Sequence, residues 1–407
     1  MKVLQINVAF PQGSTGKIVY DLHVQLQSNG IESYVIHGRG DSKEKNCERL
    51  CSLLYCRVQK LKSIIFGTMY GGCFFSTNKI IKRIKKIKPD VVHLHCINGN
   101  FVNVYRLINW LKINNIKTVI TLHAEFLYTA NCGHAFECDK WKTGCGRCPS
   151  LKQQTGALFF DRTAKSWQLM FNSFKGFDKN LIIASVSGWL MNRAKESPIM
   201  CDKKHVVVNN GLNDEIFHYR NMENKKRKMG LANKKIIFHV TPSFSTEPSN
   251  IKGGQDIIKL AKLLNDKKDT VILVAGPNYC KEKLPSNIIS LGRITNQIEL
   301  AELYSMADLT IIVSKRETFS MVTIESLSCG TPIVGYKAGG PESIALEKYS
   351  QFINNGDYTA MAKVCCEMLK NSFDKEKISI ESLKRYSKEY MAEKYLELYR
   401  ELLEEAS

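Results

Sequence analysis

The stretch LTIIVSKRETFSMVTIESLSCGTPIV, residues 309–334, decides the fold class of this chain. Its apolar, β-branched start, Leu309 to Val313, predicts a short buried strand. A helix is expected to begin near Thr323, and Gly330-Thr331-Pro332 is typical of a helix end. Strand, loop and helix in this order form the unit of a parallel α/β sheet. The loop from Lys315 to Val322 should therefore lie at the open end of such a sheet.

Two glutamates, Glu317 and Glu325, stand on either side of the expected helix start. A helix N-terminus favours phosphate, so the amides of Phe319, Ser320 and Met321 are candidate phosphate ligands. Carboxylates repel phosphate but accept hydrogen bonds from hydroxyl groups. A ligand that combines a diphosphate with hydroxyl-bearing rings on both flanks is a nucleotide sugar. The alternative is that Glu317 is a solvated loop residue and Glu325 a first-turn acid favoured by the helix dipole.

The remainder of the chain alternates strand-like and helix-like runs, which predicts parallel α/β domains. Its 407 residues are too many for one ordinary core, so we expect two domains. These are an N-terminal domain over residues 1–205 with a Cys-rich insertion at 132–148, a second domain over 206–385, and a C-terminal helix over 386–407. The predicted strands are Val3–Val8, Tyr34–His37, Val91–His95, Val119–His123, Ile182–Val186, Val206–Val208 at the domain boundary, Ile236–Thr241, Val271–Ala275, Leu309–Val313 and Ile333–Tyr336.

The composition is that of a globular protein, with 44% hydrophobic and 24% charged residues. No apolar run approaches the ~18 residues needed to cross a bilayer, and Met1–Val8 is better interpreted as a first strand than as a signal peptide. We therefore expect a cytoplasmic protein, in which 14 cysteines favour reduced thiols or a metal site over disulfides. No nucleic-acid-binding signature accompanies the net charge of +19, so no nucleic-acid partner is expected.

The excess of basic residues is concentrated in one segment that should form an amphipathic helix. Ile80, Ile84 and Ile87 keep helical spacing through it, and an apolar, glycine-containing stretch, Ile64–Phe75, precedes it. Two interpretations stay open: a surface that rests on anionic lipid at the inner face of a membrane, or a solvated helix face whose isoleucines pack into the core. The six cations that fall within ten residues are Lys79, Lys82, Arg83, Lys85, Lys86 and Lys88.

Four cysteines form the pattern C-x5-C-x6-C-x2-C over 17 residues. Four thiols that end in C-x2-C favour a tetrahedral, structural zinc site, which would order the insertion without contacting a substrate. Two disulfides or a buried apolar cluster are the alternatives. The four residues are Cys132, Cys138, Cys145 and Cys148.

A glycine-rich turn and a lysine follow two of the predicted strands. The turn, residues 11–17 (PQGSTGK), is not a P-loop, because it begins with Pro and Ile18 replaces the Ser or Thr that holds magnesium. It still lies where a phosphate can approach the backbone of an α/β sheet. Lys252, in the segment Ile251–Gly254, precedes a helix expected to begin near Gln255, and its point charge suits phosphate.

His123 ends a predicted strand, at the edge of the sheet where ligands bind in open α/β folds. A single strand-end histidine is more often a structural hydrogen-bonding group than a catalytic one. His93 and His95 alternate on another strand, and we interpret both as core groups or as groups behind the site.

Together these segments resemble glycosyltransferase family 4, retaining enzymes with the GT-B fold, in which two Rossmann-like domains face each other across a cleft. The resemblance implies that Glu317 contacts the transferred sugar and Glu325 the ribose, that Lys252 binds the diphosphate, and that His123 faces the sugar. It also implies that the terminal helix returns toward the first domain. The further candidate donor-binding residues are Gly13, Thr15, Gly16, Lys17 and Arg293.

The chain departs from the family pattern at one position. The family usually has an Arg several residues before the lysine, whereas Ser243–Asn250 contains no basic residue. Either Lys252 acts with helix amides alone, or Lys315 or Arg316 compensates.

The resemblance implies a retaining transfer of a hexosyl group from a nucleotide sugar to a glycan or a lipid-linked acceptor, in surface polysaccharide biosynthesis. No Asp-x-Asp pair stands where a metal-dependent donor site would need one, so no catalytic metal is expected. Two alternatives stay open: an epimerase of nucleotide-linked amino sugars with the same fold, and a non-catalytic scaffold that binds sugar nucleotides or membrane.

Overall fold

A computed structural model describes residues 1–404, and these fall into two compact units. One unit comprises Met1–Gly211 together with the chain from Met391 onward, and the other comprises Leu212–Tyr390. Residues 405–407, which the expected terminal helix includes, lie outside the described part of the chain. Within residues 1–404, none of the helices combines the length and the apolar character needed to cross a membrane.

The first unit contains a seven-stranded parallel sheet among the described residues. The strands are β1 (Lys2–Ala9), β2 (Glu32–Arg39), β3 (Cys47–Arg49), β4 (Val91–Leu94), β5 (Thr118–Leu122), β6 (Leu181–Ser185) and β7 (Lys204–Val207). They lie in the order β3-β2-β1-β4-β5-β6-β7. The helices are α1 (Ser14–Ser28), α2 (Leu53–Phe66), α3 (Phe74–Ile87), α4 (Val104–Ile113), α5 (Phe126–Thr129), α6 (Leu151–Thr155), α7 (Thr163–Phe174) and α8 (Gly188–Lys195).

The second unit contains a six-stranded parallel sheet in the same part of the chain. Its strands are β8 (Lys235–Val240), β9 (Thr270–Ala275), β10 (Ile288–Gly292), β11 (Leu309–Ile312), β12 (Ile333–Tyr336) and β13 (Ser350–Ile353). Their order is β10-β9-β8-β11-β12-β13. The remaining helices are α9 (Glu223–Lys228), α10 (Gly254–Leu263), α11 (Gln297–Met306), α12 (Met321–Ser328), α13 (Gly340–Ile344), α14 (Tyr358–Met368), α15 (Lys375–Tyr386) and α16 (Lys388–Glu404).

The strand order of each sheet places a ligand crevice at one edge. In the first sheet β1 lies between β2 and β4, and in the second β8 lies between β9 and β11. At such a switch in strand order, the connections that leave neighbouring strands run in opposite directions and open a crevice at the carboxyl ends. The glycine-rich turn follows β1. The Lys252 segment follows β8, and the Glu317 loop follows β11.

The central strands are buried, apart from the ends of β1 and β8, because helices connect successive parallel strands and cover the sheet. Val3, Leu4 and Ile6 of β1 have no exposed surface, and neither do Ile272 and Val274 of β9. This burial explains why the sequences of these strands are mostly apolar.

Three strands were not among the predicted ones: β3, β10 and β13. Each lies at an edge of its sheet, where one side of the strand has no partner strand. Edge strands are short and mixed in polarity, as in Cys47–Arg49, so they lack the apolar run from which the central strands were predicted.

Candidate functional site

The loop between β11 and α12 carries Glu317, and its backbone is held beside the segment that follows β12. The Glu317 N–H donates to the Ala338 carbonyl at 3.0 Å, and the Glu317 carbonyl accepts from the Gly340 N–H at 2.8 Å. A Cβ on Gly340 would lie 2.5 Å from the Phe319 nitrogen, so this approach of two backbones requires glycine. The amide of Phe319, a candidate phosphate ligand, therefore lies directly against the start of α13.

Helix α12 begins at Met321, two residues before the expected start at Thr323. Ser320 is its N-cap, and the Ser320 hydroxyl accepts a hydrogen bond from the Thr323 N–H at 3.3 Å. As a result Glu325 lies in the second turn of the helix, not in the first turn as expected. Ser320 has a φ of 91°, a left-handed conformation that costs a residue other than glycine about 1–3 kcal/mol and is typical of functional loops.

Lys252 and Glu317 form an ion pair between the ammonium Nζ and the carboxylate Oε1. The two side chains are 27% and 21% exposed, so a ligand can reach both. Two glycines bring Lys252 to this place. A Cβ on Gly253 would lie 2.2 Å from the Val313 carbonyl oxygen, and a Cβ on Gly254 would lie 2.5 Å from the Ser245 carbonyl oxygen. The segment therefore packs against the end of β11, which Glu317 follows.

Lys252 and Glu317 line a small cavity of 70 Å³ at the carboxyl ends of β8 and β11. Lys315, one of the two cations considered as a substitute for the missing Arg, donates from its ammonium to the Pro248 carbonyl at 3.1 Å. The cavity thus combines a cation, a carboxylate and the N-terminus of α12. The polar residues along its wall are His239, Thr241, Lys252, Ser314, Glu317 and Ser320.

His239 was not predicted as a site residue, although it lies near the end of a predicted strand. Its Nδ1 donates to the Ile311 carbonyl at 3.2 Å, and burial lowers its pKa to about 4. A neutral histidine that donates through Nδ1 accepts through Nε2. Within residues 1–404, the buried Nε2 of His239 has no hydrogen-bond partner. His239 therefore offers an acceptor to the cavity that Lys252 and Glu317 line.

Arg293 lies in the same region of the second unit. It lines a neighbouring cavity of 330 Å³, next to the carboxyl ends of β8 and β9. The two cavities share Val240, Thr241 and Pro242 on their walls. The structure thus brings Arg293 to the same edge of the sheet as Lys252 and Glu317, as an extended ligand would require.

Glu325 is oriented by a tyrosine of the preceding helix. The Tyr304 hydroxyl donates to Glu325 Oε2 at 3.1 Å. Burial, and then the nearby charge of Glu325, raise the pKa of Tyr304 well above its usual value, so the hydroxyl keeps its proton. The remaining acceptor capacity of the Glu325 carboxylate suits a hydroxyl-bearing ligand.

The candidate residues of the first unit lie at the carboxyl edge of its sheet. Helix α1 begins at Ser14 after Gly13, whose φ is 79°. A Cβ on Gly16 would lie 3.0 Å from the Ala9 carbonyl oxygen, so glycine lets α1 start close to the end of β1. His123 follows β5, and β4 lies between β5 and β1. Burial lowers the pKa of His123 to about 4, so the ring is neutral at physiological pH.

The Cys-rich insertion is anchored by a tryptophan and a buried glutamate. Trp141 is almost fully buried and donates from Nε1 to the Cys138 carbonyl at 2.7 Å. Glu125 accepts from the Ala135 N–H at 2.7 Å. Within residues 1–404, no group of three or more His, Cys, Asp or Glu side chains is arranged to hold a metal ion. Zinc at the four cysteines stays a prediction, and it requires a different arrangement of their sulfurs.

The basic segment forms α3, and its isoleucine face packs into the core of the first unit. Ile80, Ile81 and Ile84 are buried, and Ile87 is half-buried. The opposite face is cationic and exposed. The exposed residues are Lys79, Lys82, Lys85, Lys86 and Lys88.

Large apolar side chains are also exposed at the start of α3 and in α2. Phe74 and Phe75, at the start of the helix, are 54% and 76% exposed. Leu54 and Leu61 of α2 are 69% and 58% exposed. The segment thus presents both charges and large apolar groups to the solvent.

Two family profiles match the chain. Residues 15–168 match the family described as Glycosyltransferase Family 4, and residues 221–391 match the family described as Glycosyl transferases group 1. The first match covers Thr15, Gly16 and Lys17 of the turn after β1, and His123. The second covers the cavity of Lys252 and Glu317.

Two relatives are similar in sequence. N-acetyl-alpha-D-glucosaminyl L-malate synthase of Bacillus anthracis is 27% identical over 207 residues, which span 48% of this chain and 52% of the relative. The chain thus spans about half the length of that relative. The putative colanic acid biosynthesis glycosyl transferase WcaC of Escherichia coli is 19% identical over 99% of this chain and 100% of its own length.

Several solved structures share the fold over the whole chain. Sucrose-phosphate synthase of Thermosynechococcus elongatus is 15% identical with a TM-score of 0.70, and the alignment covers 100% of both chains. HepE of Anabaena, in complex with UDP-glucose, is 13% identical with a TM-score of 0.63, over 98% of this chain and 100% of its own. These likenesses confirm the predicted GT-B fold. The two family matches, which together cover most of the chain, establish that it belongs to glycosyltransferase family 4.

Proposed function

We propose that the protein is a retaining glycosyltransferase that moves a hexosyl group from a nucleotide sugar to a hydroxyl of a glycan or a lipid-linked acceptor. The observation that carries the proposal is the meeting of Lys252 and Glu317 in one cavity beside the N-terminus of α12. A cation and a helix N-terminus suit a diphosphate, and a carboxylate suits sugar hydroxyls. The donor complexes of HepE with UDP-glucose and the colanic acid assignment of WcaC support the donor class and a polysaccharide product.

In this reaction the bond between the anomeric carbon and the leaving phosphate oxygen breaks while a bond to the acceptor oxygen forms on the same face. The acceptor proton passes to the leaving phosphate oxygen, so no protein base is needed. Lys252 and the amides of Ser320 and Met321 offset the charge that develops on the diphosphate. Glu317 positions the sugar, and Glu325 holds the ribose. For His123, in the first unit, a role toward the sugar rests on the family resemblance alone.

The acceptor side of the proposal includes the inner face of a membrane. The exposed cations of α3, together with Phe74, Phe75, Leu54 and Leu61, favour a peripheral contact with anionic lipid. Such a contact would bring a lipid-linked acceptor to the enzyme.

A panel of nucleotide sugars, screened by thermal unfolding of the full chain, tests the donor class. A bound donor raises the unfolding temperature by mass action, and the same sugar should then be transferred. We expect turnover to persist in EDTA, because the sequence has no Asp-x-Asp pair at a donor site. Conversion of the donor to an epimer without an acceptor would support the epimerase alternative instead. Absence of any nucleotide-sugar shift or turnover would overturn the proposal.

A further inference from the structure

A continuous line of buried polar side chains crosses the sheet of the first unit, starting at His123. His123 Nε2 lies 3.2 Å from His95 Nδ1, and His95 Nε2 lies 3.2 Å from Gln5 Oε1. Gln5 Nε2 lies 3.4 Å from Ser33 Oγ, which lies 2.8 Å from His23 Nδ1. His95, Gln5, Ser33 and His23 have no exposed surface. The line follows neighbouring strands, from the ends of β5 and β4 through β1 to β2, and reaches α1.

The amide of Gln5 gives this line a direction. Its Oε1 only accepts hydrogen bonds, so the His95 nitrogen that faces it, Nε2, must carry a proton. Burial, and then the neighbouring His93 and His123, lower the pKa of His95 well below its usual value, so the ring is neutral. A neutral ring that is protonated on Nε2 has a lone pair on Nδ1. His123 therefore donates to His95 from its own Nε2.

The far end of the line agrees with the same direction. Cys47 Sγ donates its one proton to the Lys45 carbonyl at 3.6 Å. Because Sγ also lies 3.5 Å from His23 Nε2, the sulfur accepts a hydrogen bond from that nitrogen. His23 then accepts through Nδ1 from the Ser33 hydroxyl. Ser33 Oγ then accepts a hydrogen bond from Gln5 Nε2. This agrees with the orientation of the Gln5 amide, whose oxygen faces His95 and whose nitrogen therefore faces Ser33. Each group in the line donates away from His123 and accepts from the side of His123.

We propose that His95 and Gln5 are positioning residues that hold the His123 ring with its proton on Nε2, directed into the sheet. His123 then cannot take the acceptor proton through Nε2. It contributes to the reaction as a neutral group of fixed orientation. The role of His123 in sugar transfer rests on the proposed function. The position of its proton rests only on the hydrogen bonds of the line.

His93 is not part of the line, although its ring packs against that of His95, with centroids 3.9 Å apart and the ring planes tilted by 35°. Its Nδ1 lies 2.6 Å from the Tyr399 hydroxyl, and its Nε2 lies 2.7 Å from the Thr121 hydroxyl. Both nitrogens are thus engaged elsewhere. His93 supports the line by packing, and it gives a test variant that leaves the hydrogen bonds of the line in place.

The proton positions can be read by long-range ¹H–¹⁵N correlation NMR of the full chain labelled with [¹⁵N]histidine, since the ring nitrogens of the two tautomers differ in chemical shift. We expect His123 and His95 to be protonated on Nε2 and unprotonated on Nδ1 from about pH 6 to about pH 8. In Gln5→Met, His95 loses its acceptor, and both rings should show a mixture of tautomers. A parent His123 protonated on Nδ1, or an unchanged pattern in Gln5→Met, would overturn the proposal.

Kinetics provide a second readout that a purely structural role would not give. We expect kcat to fall at least about tenfold in Gln5→Met, with the KM for the donor unchanged, because a misplaced proton on a site histidine acts on the chemical step. His93→Gln is the matched control, and its His123 signals should resemble those of the parent. The two proposals fail separately. Inactivity with every donor would reject the proposed function and leave the NMR result standing, and a Nδ1–H signal would reject this inference at any activity.

Discussion

Lys252 and Glu317, which are 65 residues apart in the sequence, are each other's ion-pair partner in the free protein. With the roles proposed above for these two residues, donor binding would be an exchange of partners. A diphosphate would compete with Glu317 for the ammonium of Lys252, and the released carboxylate would become available to sugar hydroxyl groups. A ligand with a diphosphate but no sugar would leave the Glu317 carboxylate without a hydrogen-bond partner, and a free sugar would leave the Lys252 ammonium without an anion.

Glu317→Gln should lower kcat at least about 100-fold, because an amide is a weaker acceptor for sugar hydroxyls than a carboxylate. The fold should survive, since a partly exposed ion pair contributes at most about 1 kcal/mol to stability. Steady-state kinetics and thermal unfolding measure the two effects. Glu247→Gln, which removes the exposed partner of Lys281 in the same unit, is the matched control and should keep parent activity. Equal turnover of Glu317→Gln and the parent would reject the role of Glu317.

Glu325→Ala should weaken nucleotide binding about tenfold or more, because it removes a charged acceptor for the ribose. Tyr304→Phe removes only the hydrogen bond that orients Glu325, so its effect on the nucleotide Kd should be smaller. Isothermal titration with the nucleotide diphosphate separates the two variants. If Tyr304→Phe weakened binding more than Glu325→Ala, the ribose contact would have to be assigned to another residue.

His239→Phe should reduce the donor-induced rise in unfolding temperature, because the variant loses the acceptor at Nε2 and fills part of the cavity. The pKa of His239 is about 4, so its ring stays neutral and the effect should not change between about pH 6 and pH 8. His205→Phe changes another histidine whose pKa burial lowers, in the other unit, and should leave the donor-induced rise intact. A donor response of His239→Phe equal to that of the parent would remove His239 from the site.

Protein purified without chelator should contain one zinc per chain if Cys132, Cys138, Cys145 and Cys148 bind it as thiolates at about 2.3 Å. Mass spectrometry of the metal content gives the stoichiometry. Cys145→Ser should lose the metal. Cys365→Ser, in the core of the second unit, should retain it. A metal-free parent whose four thiols react with a thiol reagent while the protein is folded would return the cluster to a packing role.

Binding to anionic vesicles should fall in a variant with Lys82, Arg83, Lys85 and Lys86 changed to Gln. Each cation near such a surface contributes about 1 kcal/mol, and salt should weaken binding of the parent. Arg83 pairs with Glu48 at 2.5 Å, so we expect it to contribute least of the four. Liposome sedimentation is the measurement. A variant with the exposed Lys262, Lys267 and Lys268 changed to Gln tests whether total charge alone explains the result. Equal sedimentation of the parent and the α3 variant at low salt would show that α3 is a solvated face.

The central strands were predictable because burial on both faces requires a continuous apolar run. β3, β10 and β13 were not, because an edge strand needs no such run. The start of α12 was placed two residues late, since the expectation did not include Ser320 as an N-cap with positive φ. A strand can thus be predicted from local sequence where burial makes its residues apolar. A helix end is predicted less accurately where a single side chain caps the helix.

Individual candidate residues of the site could be predicted from the sequence, because each follows a predicted strand. The contacts between these residues could not be predicted. The approach of Lys252 to Glu317 depends on the packing of Gly253 against β11, and the line from His123 to Gln5 depends on which strands are neighbours. His239 was missed for the same reason. Its free acceptor becomes visible only when the carbonyl of Ile311, on the next strand, occupies the other nitrogen.

The terminal helix α16 also bears on the order in which the chain can fold during synthesis. Tyr395 and Tyr399 contact Thr121 and His93, and Lys204 pairs with Glu401 at 2.7 Å, so the first unit is completed by residues made after the whole of the second unit. A ribosome releases the segment Leu212–Tyr390 as a contiguous piece, whereas the buried hydroxyl partners of Thr121 and His93 arrive only later. We expect nascent chains that stop before α16 to leave the first unit open to chaperones and proteases while the second unit is already protected.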